Sequence, residues 1–177
     1  MKTLVIVAHP DLTNSRINQT WMHAFQQQEN VMVHDLYAAY PDFKIDVKRE
    51  QELLMAHDRI VLQFPFFWYS SPALLKLWQD EVLAYGWAYG QSGTRLHGKE
   101  LVLAFSTGGP AAAYQPTGVN QFTFDQLTTP FQAMANLTGM TFLRPYILSG
   151  VRTLSDEALA QATASLIEQT LQVPIRK

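Results

Sequence analysis

Three short segments of the 177-residue chain carry residue types suited to binding and orienting a ligand. The first, His9-Pro10-Asp11-Leu12-Thr13-Asn14-Ser15-Arg16-Ile17-Asn18, is polar and opens directly into a helical pattern. Free amides at a helix start and the helix dipole attract an anion, and His9, Ser15, Arg16 and Asn18 can add side-chain donors, so this segment reads as a phosphate seat. Capping of the helix by Asn14 or Ser15 competes as an explanation for the same polarity. The second, Phe64-Pro65-Phe66-Phe67-Trp68-Tyr69-Ser70-Ser71-Pro72, sets a run of aromatic residues between two prolines. Prolines restrict both ends, and successive rings cannot all face one core, so some are expected to contact a flat ligand; any single ring is better explained by filling space between sheet and helix, but all four together are not. The third, Ser106-Thr107-Gly108-Gly109-Pro110, offers hydroxyls and unshielded backbone amides, suited to the heteroatom edge of a planar molecule.

These segments need a scaffold that brings them together. Strand-length apolar runs occupy Thr3 to Ala8, Val31 to Leu36, Arg59 to Phe64, Leu101 to Ser106 and Met140 to Leu148. Most are apolar on both sides of the pleat, as in a parallel sheet buried between helix layers. Helical patterns alternate with them. Arg16 to Gln28 spaces Ile17, Trp21 and Phe25 by four, Asp46 caps a helix to about Met55, and another begins at Pro72. A fourth runs from Thr123 to Leu137, restarted at Pro130, and a fifth follows the Ser155 cap to Leu171. The pattern predicts one α/β domain over residues 1–177, a doubly wound five-stranded parallel sheet with helices on both faces. For the strand order 2-1-3-4-5 common to that class, a ligand lies beyond the carboxyl ends of strands one, three and four. Those ends are the three segments above.

Composition narrows the chemistry. Cysteine is absent, which excludes disulfides, thiolate catalysis and iron-sulfur clusters. Thirteen basic against fifteen acidic side chains leave a net charge of −2, so no broad positive field holds nucleic acid. His23, His34, His57 and His97 fall on separate elements without a companion carboxylate at ligand spacing, so no metal site is expected. Lys48-Arg49-Glu50, Asp80-Glu81 and Asp156-Glu157 read as solvated surface charge. The apolar start of the chain stops at His9-Pro10, too early for a signal segment, and the expected location is cytoplasmic.

A phosphate seat, an aromatic wall and an amide-lined edge together describe a flavin mononucleotide site. On these residues the chain resembles the flavodoxin-like NAD(P)H:quinone oxidoreductase family, the group of DT-diaphorase, the drug-activity modulators and the Kef potassium-efflux ancillary subunits. The resemblance runs through Ala8-His9-Pro10, Ser15-x-x-Asn18, Tyr40-Pro41-Asp42-Phe43, Phe64-Pro65 with Trp68-Tyr69, and Pro72-x-x-Leu75-Lys76-x-Trp78. It continues through Gly86-Trp87-Ala88-Tyr89-Gly90 and Thr107-Gly108-Gly109.

The resemblance implies a flavodoxin-like fold, FMN as cofactor with FAD as the alternative, and NAD(P)H as co-substrate. Its activity would be ping-pong, two-electron hydride transfer to quinones or to similar acceptors such as nitro and azo compounds. By resemblance His9, Ser15, Arg16, Ile17 and Asn18 hold the flavin phosphate and ribityl chain. Phe66, Phe67, Trp68 and Tyr69 line one side of the ring system, and Ser106, Thr107, Gly108 and Gly109 reach its polar edge. Tyr114 matches a catalytic tyrosine over the flavin, while Asn120 stands where the diaphorase branch has a histidine and brings no proton that titrates near neutral pH. A homodimer is implied, with the Tyr85 to Gly90 segment as a wall for the partner's site. The alternative function is a flavin-binding ancillary subunit associated peripherally with a Kef-type transporter. A one-electron flavodoxin carrier ranks lower, because such carriers are strongly acidic and this chain is not.

Overall fold

The structure, a computed structural model, describes residues 1–171; the last positions of the expected 1–177 domain lie outside the described residues. Strand β1 (Thr3–Val7) is buried along its whole length, because it lies inside the sheet, flanked by a strand on each side, with helices on both faces. It pairs in parallel with β2 (Val31–Asp35) on one side and β3 (Arg59–Pro65) on the other. Strand β4 (Glu100–Thr107) follows β3, and β5 (Thr141–Phe142) and β6 (Tyr146–Ser149) both lie along β4. The order β2-β1-β3-β4-β5 is the one expected, and every pairing is parallel.

Alternation along each strand makes two cores. Leu4, Ile6, Ile60, Leu62, Phe64, Leu103 and Phe105 face α3 (Val47–Ala56), α4 (Ala73–Val82) and α6 (Thr129–Leu137). Val5, Val7, Val61, Val102 and Ala104 face α1 (Arg16–Gln26) and α7 (Asp156–Leu171), where Trp21, Phe25, Leu159 and Leu166 meet them. On the first face a column of phenylalanines rises through the core. Phe131 stacks on Phe64 (5.5 Å between ring centroids), Phe64 on Phe105 (5.7 Å) and Phe105 on Phe66 (4.7 Å). The column ends at the upper rim of the sheet.

The structure departs from the expected elements at identifiable points. The single strand expected over Met140 to Leu148 is two. Between Leu101↔Phe142 and Ala104↔Tyr146 the outer strand holds one more residue than β4, and Pro145 has no N–H to continue the ladder. The second strand stops at Asp35, whose carboxylate accepts from the amides of Tyr37 and Ala38 and starts a four-residue helix, α2 (Leu36–Ala39). The helix expected from Thr123 is α5 (Phe124–Leu127) and then α6, with Pro130 in the first turn of the second.

Glu50 is not surface charge: it is buried and pairs with His34. Glu50 is completely buried on the inner side of α3, with Leu54 one turn on. Its carboxylate accepts from the Tyr40 hydroxyl (2.6 Å), Trp78 Nε1 (2.8 Å) and His34 Nε2 (2.9 Å). One buried acceptor therefore joins β2, the segment after α2, α3 and α4.

Candidate active site

The carboxyl ends of β1, β3 and β4 meet at a cleft of about 320 Å³. Its first wall is the start of α1. Ser15 Oγ accepts from the Asn18 amide (3.3 Å), so the capping explanation holds for Ser15. Capping satisfies only one of the free donors of a first turn, and the amides of Arg16 and Ile17 have no carbonyl one turn back to bond. His9 stands half-buried beside them. The Asp11 amide donates to its Nδ1 (3.0 Å), so the ring proton sits on Nε2 and points a second donor elsewhere. Burial lowers the His9 imidazole below its usual range, with Asp11 and Asp35 opposing part of the shift, and the ring is neutral at pH 7.

The second wall is Pro65-Phe66-Phe67. Phe66 tops the phenylalanine column, and the Phe67 ring meets His9 edge-on at 6.2 Å between centroids. Trp68 and Tyr69 do not line the cleft. Both take positive φ (48° and 62°) in a tight turn closed by the Ser70 amide donating to the Phe67 carbonyl (2.9 Å). Left-handed backbone at a bulky residue costs about 1 kcal/mol or more, and here it turns Trp68 outward to 93% exposure. The Tyr69 hydroxyl donates to Asn120 Oδ1 (3.1 Å), tying this turn to the loop after β4 and leaving the Asn120 amide hydrogens as donors.

The third wall is Ser106 and Gly108. Thr107 is buried and turned inward, its hydroxyl donating to the Gly109 carbonyl (2.8 Å). Tyr114 is buried too, stacked on Phe124 at 4.1 Å, and a Cβ on Gly109 would stand 3.5 Å from its ring. The cleft thus gathers His9, Ser15, Arg16, Ile17, Asn18, Phe66, Phe67, Ser106 and Gly108. Trp68, Tyr69, Thr107, Gly109, Tyr114 and Asn120 stand around it. The Tyr85–Gly90 turn lies at the opposite end of the sheet: Trp87 packs beside Met55 and Ala56 at the end of α3, and Tyr89 beside Leu83 after α4.

Two participants were not singled out from the sequence. Gln63 is buried beneath the cleft, its amide donating to the Asn18 carbonyl (2.8 Å), while Asn18 Nδ2 reaches Ser106 Oγ (3.4 Å). This pair links all three loops from below. The signal was available as a lone amide in the apolar run Ile60-Val61-Leu62-Gln63-Phe64. Arg152 lines the cleft from the turn after β6, and no spacing pattern marked it.

The arrangement suits a flat molecule with an anionic tail. The cleft lining holds donors and aromatic rings and no carboxylate. A Cβ on Gly108 would stand 3.0 Å from Arg152 Nε, so the bare backbone leaves the room that a ligand edge and a guanidinium need. Buried Gln63 Oε1 has no partner, a polar atom left at the floor of the cleft. A flavin phosphate and ring system fit this donor set.

Comparison with known proteins agrees. A family model described as flavodoxin-like fold matches residues 1–170. An uncharacterized NAD(P)H oxidoreductase, YrkL, of Bacillus subtilis (strain 168) is 52% identical over 168 residues, 95% of this chain and 97% of its own length. The glutathione-regulated potassium-efflux system ancillary protein KefG of Pectobacterium atrosepticum is 44% identical, covering 90% of this chain and 87% of that protein. Among solved structures, an NADPH-quinone reductase from P. pentosaceus superposes with a TM-score of 0.90 at 36% identity, covering 98% of this chain and 99% of that one. General stress protein 14 from Treponema denticola, solved in complex with FMN, gives 0.87 at 39% identity, covering 96% and 95%. By fold, by a family match over residues 1–170 and by relatives of this identity, the chain belongs to the flavodoxin-like family of NAD(P)H oxidoreductases.

Proposed function

We propose that the chain is an FMN-dependent NAD(P)H:quinone oxidoreductase that moves two electrons as hydride, in ping-pong order, through a single cleft. The observation that carries this reading is the lining of that cleft: amides, hydroxyls and cations on one side, Pro65-Phe66-Phe67 on the other, and no carboxylate. FMN, when bound, supplies a ring that accepts hydride from a nicotinamide and returns it to a quinone. The chain's own residues would do the rest. The Arg16 and Ile17 amides and His9 Nε2 would hold the phosphate, and Phe66 and Phe67 would shield one side of the ring from water. Ser106 and Gly108 would meet its polar edge. Asn120, its carbonyl oxygen already engaged by Tyr69, would offer an acceptor a hydrogen bond without a titrating proton.

Relatives named for quinone reduction and for FMN support the substrate and the cofactor. Protein purified from the native sequence is expected to be yellow, to release FMN on heating and to give parallel double-reciprocal plots with NAD(P)H and a quinone. A colourless protein that takes up no flavin would end the proposal. NADH and NADPH are to be separated by anaerobic titration with each. Assembly as a homodimer in the cytoplasm is part of the proposal, with the Tyr85–Gly90 turn of one copy available to the other; light scattering on purified protein tests the dimer.

Trp68 is the residue most open to an incoming acceptor. Trp68→Ala is expected to raise KM for the quinone by about threefold to tenfold, the size of one lost aromatic contact, with flavin content unchanged. Loss of bound flavin instead would place Trp68 in cofactor retention.

The KefG relative favours a second reading, an ancillary subunit of a potassium-efflux transporter. Among the described residues no helix is long and apolar enough to cross a membrane, so such a role would need docking onto a membrane partner. Co-purification with a transporter from the source cell would support it.

A further inference from the structure

The cation expected to face the phosphate, Arg16, is already engaged. Its Nη1 donates to the Leu154 carbonyl (2.8 Å), its Nε to Asp156 Oδ1 (3.2 Å), and its Nη2 to the same carboxylate. Arg16 is thus a brace between the start of α1 and the start of α7. The turn it braces carries a second guanidinium to the cleft. Gly150 takes a left-handed φ of 70° and its amide donates to the Gly109 carbonyl (2.8 Å), which fixes the turn against the loop after β4. Val151 and Arg152 then join the cleft lining.

Arg152 lies across Gly108, its Nε 3.0 Å from where a Cβ would stand. Among the described residues no carboxylate or carbonyl pairs with it. A guanidinium brings a fork of donors that matches two phosphate oxygens, and the cleft offers no internal anion to satisfy it. It shares that cleft with the free first-turn amides of α1 and with His9, so the three donor types face one volume. Arg16, by contrast, would have to break its contacts with Asp156 and Leu154 to do the same work.

We infer that Arg152, not Arg16, is the side-chain cation for the 5′-phosphate of the flavin, and that it makes the cleft select the phosphorylated flavin over riboflavin. The inference rests on the flavin reading above and adds to it which residue sets phosphate dependence.

Apoprotein of the full chain is titrated with FMN and with riboflavin, followed by flavin fluorescence, for the parent, Arg152→Ala and Arg152→Lys. Loss of one forked charged contact is expected to weaken FMN by about tenfold to fiftyfold in Arg152→Ala, with riboflavin unchanged. Arg152→Lys is expected to recover part of the FMN affinity, and the salt dependence of FMN binding is expected to fall in Arg152→Ala. Unchanged FMN affinity in Arg152→Ala would overturn the inference, as would an equal loss for both flavins. So would unchanged FMN affinity with KM raised for NADPH but not NADH, which would give the guanidinium to the nicotinamide's phosphate. A parent protein that binds neither flavin would remove the flavin reading itself, and this inference with it.

Discussion

Glu50→Ala is expected to destabilise the protein by about 3 to 5 kcal/mol, the cost of breaking a buried charged network by removing one member. The side chain is wholly buried and is the shared acceptor for Tyr40, Trp78 and His34. Alanine removes the acceptor and leaves three buried donors facing a cavity, each with a desolvation cost of its own. Four elements loosen together, because those donors come from β2, the segment after α2, and α4, while Glu50 rides on α3. Urea unfolding at pH 7 measures the loss.

The same site gives a pH dependence with a definite sign. Burial raises the Glu50 carboxyl, but the hydrogen bonds from His34, Tyr40 and Trp78, with the field of His34, outweigh it and hold the group below its usual range. A carboxyl lowered by folding contributes stability that is complete above its unfolded value, about 4.3. That contribution is lost as the pH falls through the lower, folded value. Parent protein is therefore expected to lose stability as the pH falls below about 4 more steeply than Glu50→Gln, which has no proton to take up there. Parallel curves for the two would mean that Glu50 is not ionised in the fold.

Phe105→Ala is the second large effect, and it should reach the cleft as well as the core. Phe105 is completely buried and sits between Phe64 and Phe66, with Phe124 against its edge at 5.7 Å. Truncating a buried phenylalanine costs about 3 to 5 kcal/mol, part transfer and part residual cavity. Phe66 loses the ring it stacks on, so the aromatic wall can tilt into the gap. Flavin affinity is expected to drop by about tenfold, which needs only 1.4 kcal/mol of lost wall support. Phe105→Leu, which fills more of the space, is expected to restore most of the stability and part of the affinity. Thermal unfolding and flavin titration on the same preparations separate the two effects.

The scaffold was legible in the sequence because its cause is local and repetitive. Apolar runs such as Thr3–Val7 and Arg59–Pro65 have the length and two-sided hydrophobicity of buried parallel strands, and caps such as Asp46 and Ser155 announce the helices between them. The meeting of the three loops followed from topology alone. What stayed hidden depends on distant partners. Lys48-Arg49-Glu50 looks like solvent-facing charge until Tyr40, Trp78 and His34 are folded around the third of them. Arg16 reads as a free donor of the first loop until Asp156 arrives from 140 residues away to pair with it. The division of the aromatic run, Phe66 and Phe67 inward and Trp68 and Tyr69 outward, is set by a tight turn at positive φ, which these bulky residues do not advertise.

The interruption of the outer strand at Pro145 bears on how copies of the chain can meet. An open β margin is a template: its unpaired amides and carbonyls can zip onto a foreign strand and seed fibrous growth. Here that margin is a two-residue piece, a kink without a donor, and a four-residue piece, so it offers no long continuous run to a foreign strand. On this side, contact through side-chain surfaces is favoured over addition to the sheet.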